Sequence, residues 1–243
     1  MRLFDTENLN QIAHTFSRGR WDNIDSYLSN SWNTLWRGTL DTLYMVGFSA
    51  LFAIIIGTAL GIILYITKSG GICEFRAVNR LLSFVVNVGR SIPFVIIIIA
   101  VFPLAGLIVG TSIGKTAAIV PLTIAAIPFV ARIVEAALAE LGHGIIEAAI
   151  SAGANPVQII FRVLLPESAS GLASGYTITI INLITFSSMA GVIGAGGLGD
   201  VALREGYQRF RTDMLIGTIV ILVILVQGIQ LLGQFISRKL DKK

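Results

Sequence analysis

Residues 144–166 read GIIEAAISAGANPVQIIFRVLLP and lie between long apolar runs. Ile145, Ile146, Ala149 and Ile150 follow helical spacing. Gly153 suits the left-handed conformation that closes a helix. Asn155 is an N-cap residue, Pro156 fits a first helical position, and Gln158 stands where a capping box needs it. Pro166 is expected to stop the second helix. The pattern describes a small capped helix–turn–helix held between membrane spans. A docking knob for a partner outside the bilayer has this shape, and so does an ordinary loop helix.

The membrane context comes from composition. The 243-residue chain is 54% apolar and 13% charged, against about 25% charged in a soluble domain. With a mean hydropathy of +0.81, it reads as an all-α integral membrane protein embedded in a lipid bilayer. A net charge of +4 is explained by basic loops beside an anionic leaflet and calls for no nucleic acid. The single cysteine, Cys73, excludes an intrachain disulfide and a cysteine-based metal cluster. Two histidines, one cysteine and few acids supply no metal site and no nucleophile set, so neither a catalytic residue nor a bound cofactor is expected.

Outward from the knob, the chain divides into a polar N-terminal tail (1–38), a membrane domain (39–238) and a basic C-terminal tail (239–243). The tail lacks the compact apolar core of a signal peptide. In it Ile24, Tyr27, Leu28, Ser31, Trp32, Leu35 and Trp36 share one helical face. Trp21, Trp32 and Trp36 all lie here, as an interfacial helix would have them. A helix packed on the protein's own surface fits equally. Span one is uncharged over 42–67, about 39 Å of helix, enough to cross a ~30 Å core with tilt. Its Gly57-x-x-x-Gly61 permits close helix contact.

Span two is read over 81–109, with Arg90 and Pro93 inside it. An arginine at a span's centre costs about 2.5–3.5 kcal/mol, so Arg90 either lies near the headgroups or faces the protein interior. Span three covers 116–138, with Pro121 and Pro128 as expected kinks. Arg132 and Glu135 stand one turn apart, where they can pair. The uncharged run 168–199 would be about 48 Å long as one helix, so its glycine-rich end, 191–199, is expected to break. Span five covers 214–237. The five spans put the termini on opposite sides, but basic residues divide evenly between those sides and charge alone selects no orientation.

Two stretches imitate nucleotide sites. Gly110-Thr-Ser-Ile-Gly114-Lys115-Thr116 is one residue short of a P-loop between its glycines and links two spans. Gly194-Ala-Gly196-Gly197-Leu-Gly199 spells G-x-G-x-x-G but lacks the βαβ unit that a dinucleotide site needs. The first reads as a polar turn, the second as backbone freedom where span four ends.

Glu147-Ala148-Ala149, Gly153, Ile159 and Leu165-Pro166 together resemble the EAA loop of ABC-importer permeases. Arg90-Ser-Ile-Pro-Phe94, 108–114 and 194–199 are similar to blocks of the methionine-uptake permeases within that group. The resemblance covers roughly 39–240. It implies five transmembrane helices per subunit, with a cytoplasmic coupling helix in the loop 140–166 between spans three and four. It also implies a homodimer, a cytoplasmic ABC ATPase dimer that binds ATP, and an extracytoplasmic methionine-binding lipoprotein. The location implied is the bacterial inner membrane, with the N-terminus outside and the C-terminus cytoplasmic.

Contact with the ATPase is then expected at Glu147, Ala148, Ala149, Gly153, Asn155 and Pro156. Asn182, Ser187, Ser188 and Met189, just before the glycine-rich break, are expected along the pathway or at its gate. The resulting function is ATP-driven import of methionine or a close analogue by alternating access. A permease for another small solute shares the same loop. A secondary transporter would need ionisable groups at mid-membrane, for which only Arg90, Arg132 and Glu135 are candidates.

Overall fold

The computed structural model describes the backbone of residues 6–241, and the side chains of 29–241 except His143. The proposed roles of Trp21, Ile24, Tyr27, Leu28 and the terminal Lys242 and Lys243 therefore lie outside the described residues. Among the described residues the chain is helical without strands. Helix α1 is Thr6–Thr67, α2 Arg76–Ser91, α3 Phe94–Val109, α4 Lys115–Ala139 and α5 His143–Ser151. Helix α6 runs over 156–167, α7 is Ala169–Ala190, α8 runs over 197–208 and α9 is Thr212–Leu240.

Among the described residues, four helical segments are long and apolar enough to cross a bilayer: Ser29–Thr67, Lys115–Ala139, Ala169–Ala195 and Thr212–Leu240. A fifth crossing exists only if α2 and α3 are counted together. They do not form the one continuous helix read over 81–109, because they meet at a bend of 107°. The cause is Pro93. It has no N–H to donate and holds Ile92 in extended conformation (φ −85°, ψ 126°).

Helix α1 continues without interruption through residue 38. Near there the residues of the expected single face separate. Ser31 and Leu35 are buried, whereas Trp32 and Trp36 are exposed with their rings stacked 6.5 Å apart. Leu35 packs with Val201 and Met214, and Arg211 donates to Ser31 Oγ at 2.7 Å.

Contacts along the helices set their directions. Gly57 lies against Val130 and Gly61 against Val134, so α1 and α4 run parallel, with α2 and α3 returning the chain between them. Small residues let the two backbones approach closely, as the Gly57/Gly61 spacing suggests. Tyr176 on α7 hydrogen-bonds Thr58 on α1 at 2.7 Å. Helix α9 runs antiparallel to α7, with Gly233 against Thr177 and Ser237 bonded to Ser170 at 3.0 Å. Arg132 and Glu135 pair on α4 as expected, and Arg132 also donates to Asn87 on α2 at 2.9 Å. Pro121 and Pro128 lie inside α4, which continues through both.

One end of the bundle therefore carries the 68–75 loop, α5, α6 and the end of α9. The opposite end carries 110–114 and the glycine-rich segment. There Gly194, Gly196 and Gly197 adopt φ of 98°, 84° and 80°, a region strained for residues with a Cβ. The helix breaks at this point, as its excess length requires. The buried N–H of Leu198 donates to Thr42 Oγ1 at 2.9 Å, tying the break to α1. Lys115 pairs with Asp41 at 2.5 Å at the same end. Glu205, also buried, accepts from Arg209 at 2.9 Å.

Candidate functional site: an exposed knob and a mid-span cavity

The knob is built as its sequence directs. Helix α5 ends in a double bond pattern, with Gly153 N–H donating to Ile150 O at 2.9 Å and Ala154 N–H to Ala149 O at 3.1 Å. Gly153 supplies the required positive φ of 78°. Asn155 Oδ1 then accepts from Gln158 N–H at 2.9 Å, and Gln158 Oε1 accepts from Asn155 N–H at 3.0 Å. Such a reciprocal cap is worth about 1 kcal/mol, which stiffens the turn between the two helices.

Pro166 does not stop α6, contrary to the sequence reading. Over Ile159–Leu164 the helix winds more widely, with Leu165 N–H bonded to Ile160 O five residues back. The wider turn makes room for the proline ring, and the helix ends at Glu167 instead.

Ile146, Ile159 and Leu164 anchor the knob in the core. Glu147 and Ala148 are exposed, as are Gly153, Asn155 and Pro156, while Ala149 is half-buried. Ile145, Ile150, Val157 and Phe161 add a large apolar area beside them; Phe161 is 64% exposed. Val157 and Phe161 were not singled out from the sequence. Their spacing of four on a helix whose buried face is Ile159 and Leu164 was the available signal. Glu147 has no ion-pair partner among the described residues.

The second feature is a cavity of about 260 Å³ at the bend between α2 and α3. Arg90, Phe94, Phe129, Asn182 and Phe186 are among its lining residues. The Phe94 and Phe186 rings stack at 4.5 Å with 9° between planes.

Of the four residues expected along the pathway, the cavity includes Asn182 alone. Ser187 is buried and donates to Ile184 O at 2.7 Å. Ser188 donates to the same carbonyl at 3.1 Å and backs onto Gly199. Met189 is 41% exposed on another face. The aromatic lining was missed, although Ala125 with Phe129 and Asn182 with Phe186 each stand one turn apart. Their convergence depends on the bend.

This architecture has counterparts. Residues 57–243 match the family described as binding-protein-dependent transport system inner membrane component. A protein of Vibrio cholerae named a probable D-methionine transport system permease, MetI, is 46% identical over 97% of this chain and all of its own. The methionine import system permease protein MetP of Bacillus subtilis is 46% identical over 86% of this chain and 94% of its own. A solved chain from inward-facing conformations of the MetNI methionine ABC transporter superposes with a TM-score of 0.85 at 45% identity, covering 86% of this chain and 97% of that one. With a crossing bundle, an exposed capped knob and similarity along nearly its whole length, the chain belongs to the family of binding-protein-dependent transport system inner membrane components.

Proposed function

We propose that this chain is the membrane-spanning permease subunit of an ATP-driven importer that carries methionine or a close analogue. The observation that carries the reading is the knob: a rigidly capped pair of helices, anchored by buried aliphatics, presents Glu147 and an apolar surface at one end of the bundle. Similarity to methionine permeases over nearly the full chain supports the substrate.

In this reading α5 and its turn are the cytoplasmic coupling element. Glu147, Ala148, Ala149, Gly153, Asn155 and Pro156 contact a separate ABC ATPase dimer, which holds the ATP. Two copies of the chain form the pathway, and a methionine-binding lipoprotein delivers substrate on the opposite face. The N-terminus is then outside and the C-terminus cytoplasmic, with residues 1–38 forming the outer tail, 39–238 the permease domain and 239–243 a basic cytoplasmic tail. Asn182, Ser187, Ser188 and Met189 belong to the stretch that opens and closes the path. ATP binding draws the knobs together and turns the bundle from inward-open to outward-open, a two-state change driven by a distant ligand.

The test is uptake of labelled methionine in cells lacking their own methionine importer, with this chain co-expressed with its genomic neighbours. ATP-dependent uptake is expected, and Glu147→Lys is expected to abolish it while the protein still inserts. Substrate-stimulated ATPase at the normal level in that variant would refute the coupling role. ATPase co-purification without methionine uptake would refute the substrate.

A further inference from the structure

We infer that the groove between α7 and α9 is a binding site for one anionic phospholipid, drawn from the leaflet on the knob side of the bundle. Side-chain size, length, polarity and charge all point to that occupant.

The groove exists because its walls are built from short side chains. Ala169 and Ala173 on α7 and Gly233 on α9 leave a hollow of about 410 Å³ beside the contact between the two helices. Gly233 meets Thr177 at that contact, and Ser237 closes the seam on Ser170 at 3.0 Å. Leu172, which is nearly buried, and Tyr176, whose hydroxyl is held by Thr58 at 2.7 Å, close the base.

Its length fits one leaflet. The α7 wall runs over residues 169–180, about 17 Å of helix. It begins at the knob end and stops near the middle of Ala169–Ala195. Half of a bilayer core is about 15 Å, so the groove is as long as one extended acyl chain is deep.

The two flanks of the seam differ in polarity. On the other side of the Thr177–Gly233 contact lie Ser174, Gln230 and Gln234. Polar groups within a span turn to protein or to a water-filled path, so that flank belongs inside the assembly. The flank with the groove has an apolar wall and no charged residue in its lining, which leaves it to the bilayer.

Charge stands where a headgroup would lie. Leu165 and Leu240 line the groove at its knob end. Exposed Arg162 lies three residues before Leu165, and exposed Lys239 lies three after Ile236. Neither makes an ion pair among the described residues. The neighbouring acids, Glu167 and Asp241, are already engaged. One acyl chain fills the groove, and the phosphate accepts charge-assisted hydrogen bonds from Arg162 and Lys239. The chain gains little over its place in the bilayer, because both surroundings are apolar. Selection therefore comes from the headgroup, at about fivefold per basic residue. Because Leu165 belongs to α6, the seated lipid braces the second helix of the knob against α9.

The experiment uses the full-length chain, in the assembly it forms, reconstituted in phosphatidylcholine vesicles. Traces of phosphatidylglycerol or phosphatidylcholine carry a diazirine near the end of one acyl chain. Labelling after illumination is located on this chain by mass spectrometry. The phosphatidylglycerol probe is expected to label residues 169–180 about fivefold or more over the phosphatidylcholine probe, relative to the rest of the chain. Arg162→Gln with Lys239→Gln should bring that preference close to one. Ala173→Phe, which fills the groove, should lower labelling of 169–180 by the phosphatidylglycerol probe at least fivefold.

Equal labelling by the two probes overturns the site, since ordinary bilayer contact explains it. A preference that survives loss of both basic residues overturns the headgroup assignment, and labelling that survives Ala173→Phe overturns the groove. Absence of label at 169–180 from either probe means that protein covers the groove, which also overturns the proposal. If Ala173→Phe does not assemble, the two glutamine substitutions, both at exposed positions, carry the test.

Discussion

Gly61→Ala is a one-carbon test of the seam that positions the bundle. A Cβ at Gly61 would lie 2.6 Å from both the Ala131 carbonyl oxygen and Val134 Cβ. Both are firm neighbours: one is helix backbone and the other the root of a branched side chain. Each contact is about 0.8 Å inside the 3.4 Å limit of ordinary approach, so α1 and α4 must separate, at the ~1–3 kcal/mol typical of overpacking. Gly47 on the same helix has nothing within 4 Å of an added Cβ. Gly47→Ala is therefore the internal control, expected near neutral or slightly stabilising because alanine is the better helix former.

The assay is thermal or denaturant unfolding of the two purified variants in one detergent, followed by circular dichroism and by loss of monodisperse protein. Gly61→Ala should unfold earlier than Gly47→Ala by a margin matching ~1–3 kcal/mol. Because α4 also carries Ala125 and Phe129, transport should fall with it. Equal stability of the two variants would refute the reasoning that close backbone approach holds α1 on α4.

Two further outcomes are expected. Thr42→Val removes the acceptor for the buried Leu198 N–H and should cost about 1–3 kcal/mol, loosening the glycine-rich segment; unchanged hydrogen exchange at Leu198 would contradict this. Ser188→Glu replaces the half-buried hydroxyl that donates to Ile184 O with a bulky charge and should abolish uptake while the ATPase still co-purifies, so retained uptake would remove Ser188 from the gate.

Much of the knob was legible because its signals are local. Gly153, Asn155, Pro156 and Gln158 act within one or two turns of chain, and their hydrogen bonds follow from residue type and spacing. Pro166 was misread for the same reason. Its effect as a helix breaker presumes ordinary winding, and the chain instead widened its turn through Ile159–Leu164. The break at 191–199 was legible from length, since an uncharged run longer than the bilayer must leave it.

The sequence by itself determined an integral membrane, all-helical chain, the approximate positions of its crossings, the capped turn between α5 and α6 and the Arg132–Glu135 pair. All depend on hydropathy or on neighbours within a turn. Only the tertiary structure decided the 107° bend at Pro93, the parting of Ser31 and Leu35 from Trp32 and Trp36, and the meeting of Arg90 with Asn182 and the phenylalanines. A proline announces that a helix is interrupted, but the angle of the break is set by packing of α2 against α1 and α4 and of α3 against α4 and α7. Residues far apart along the chain, such as Arg90 and Asn182, become neighbours only once that angle exists.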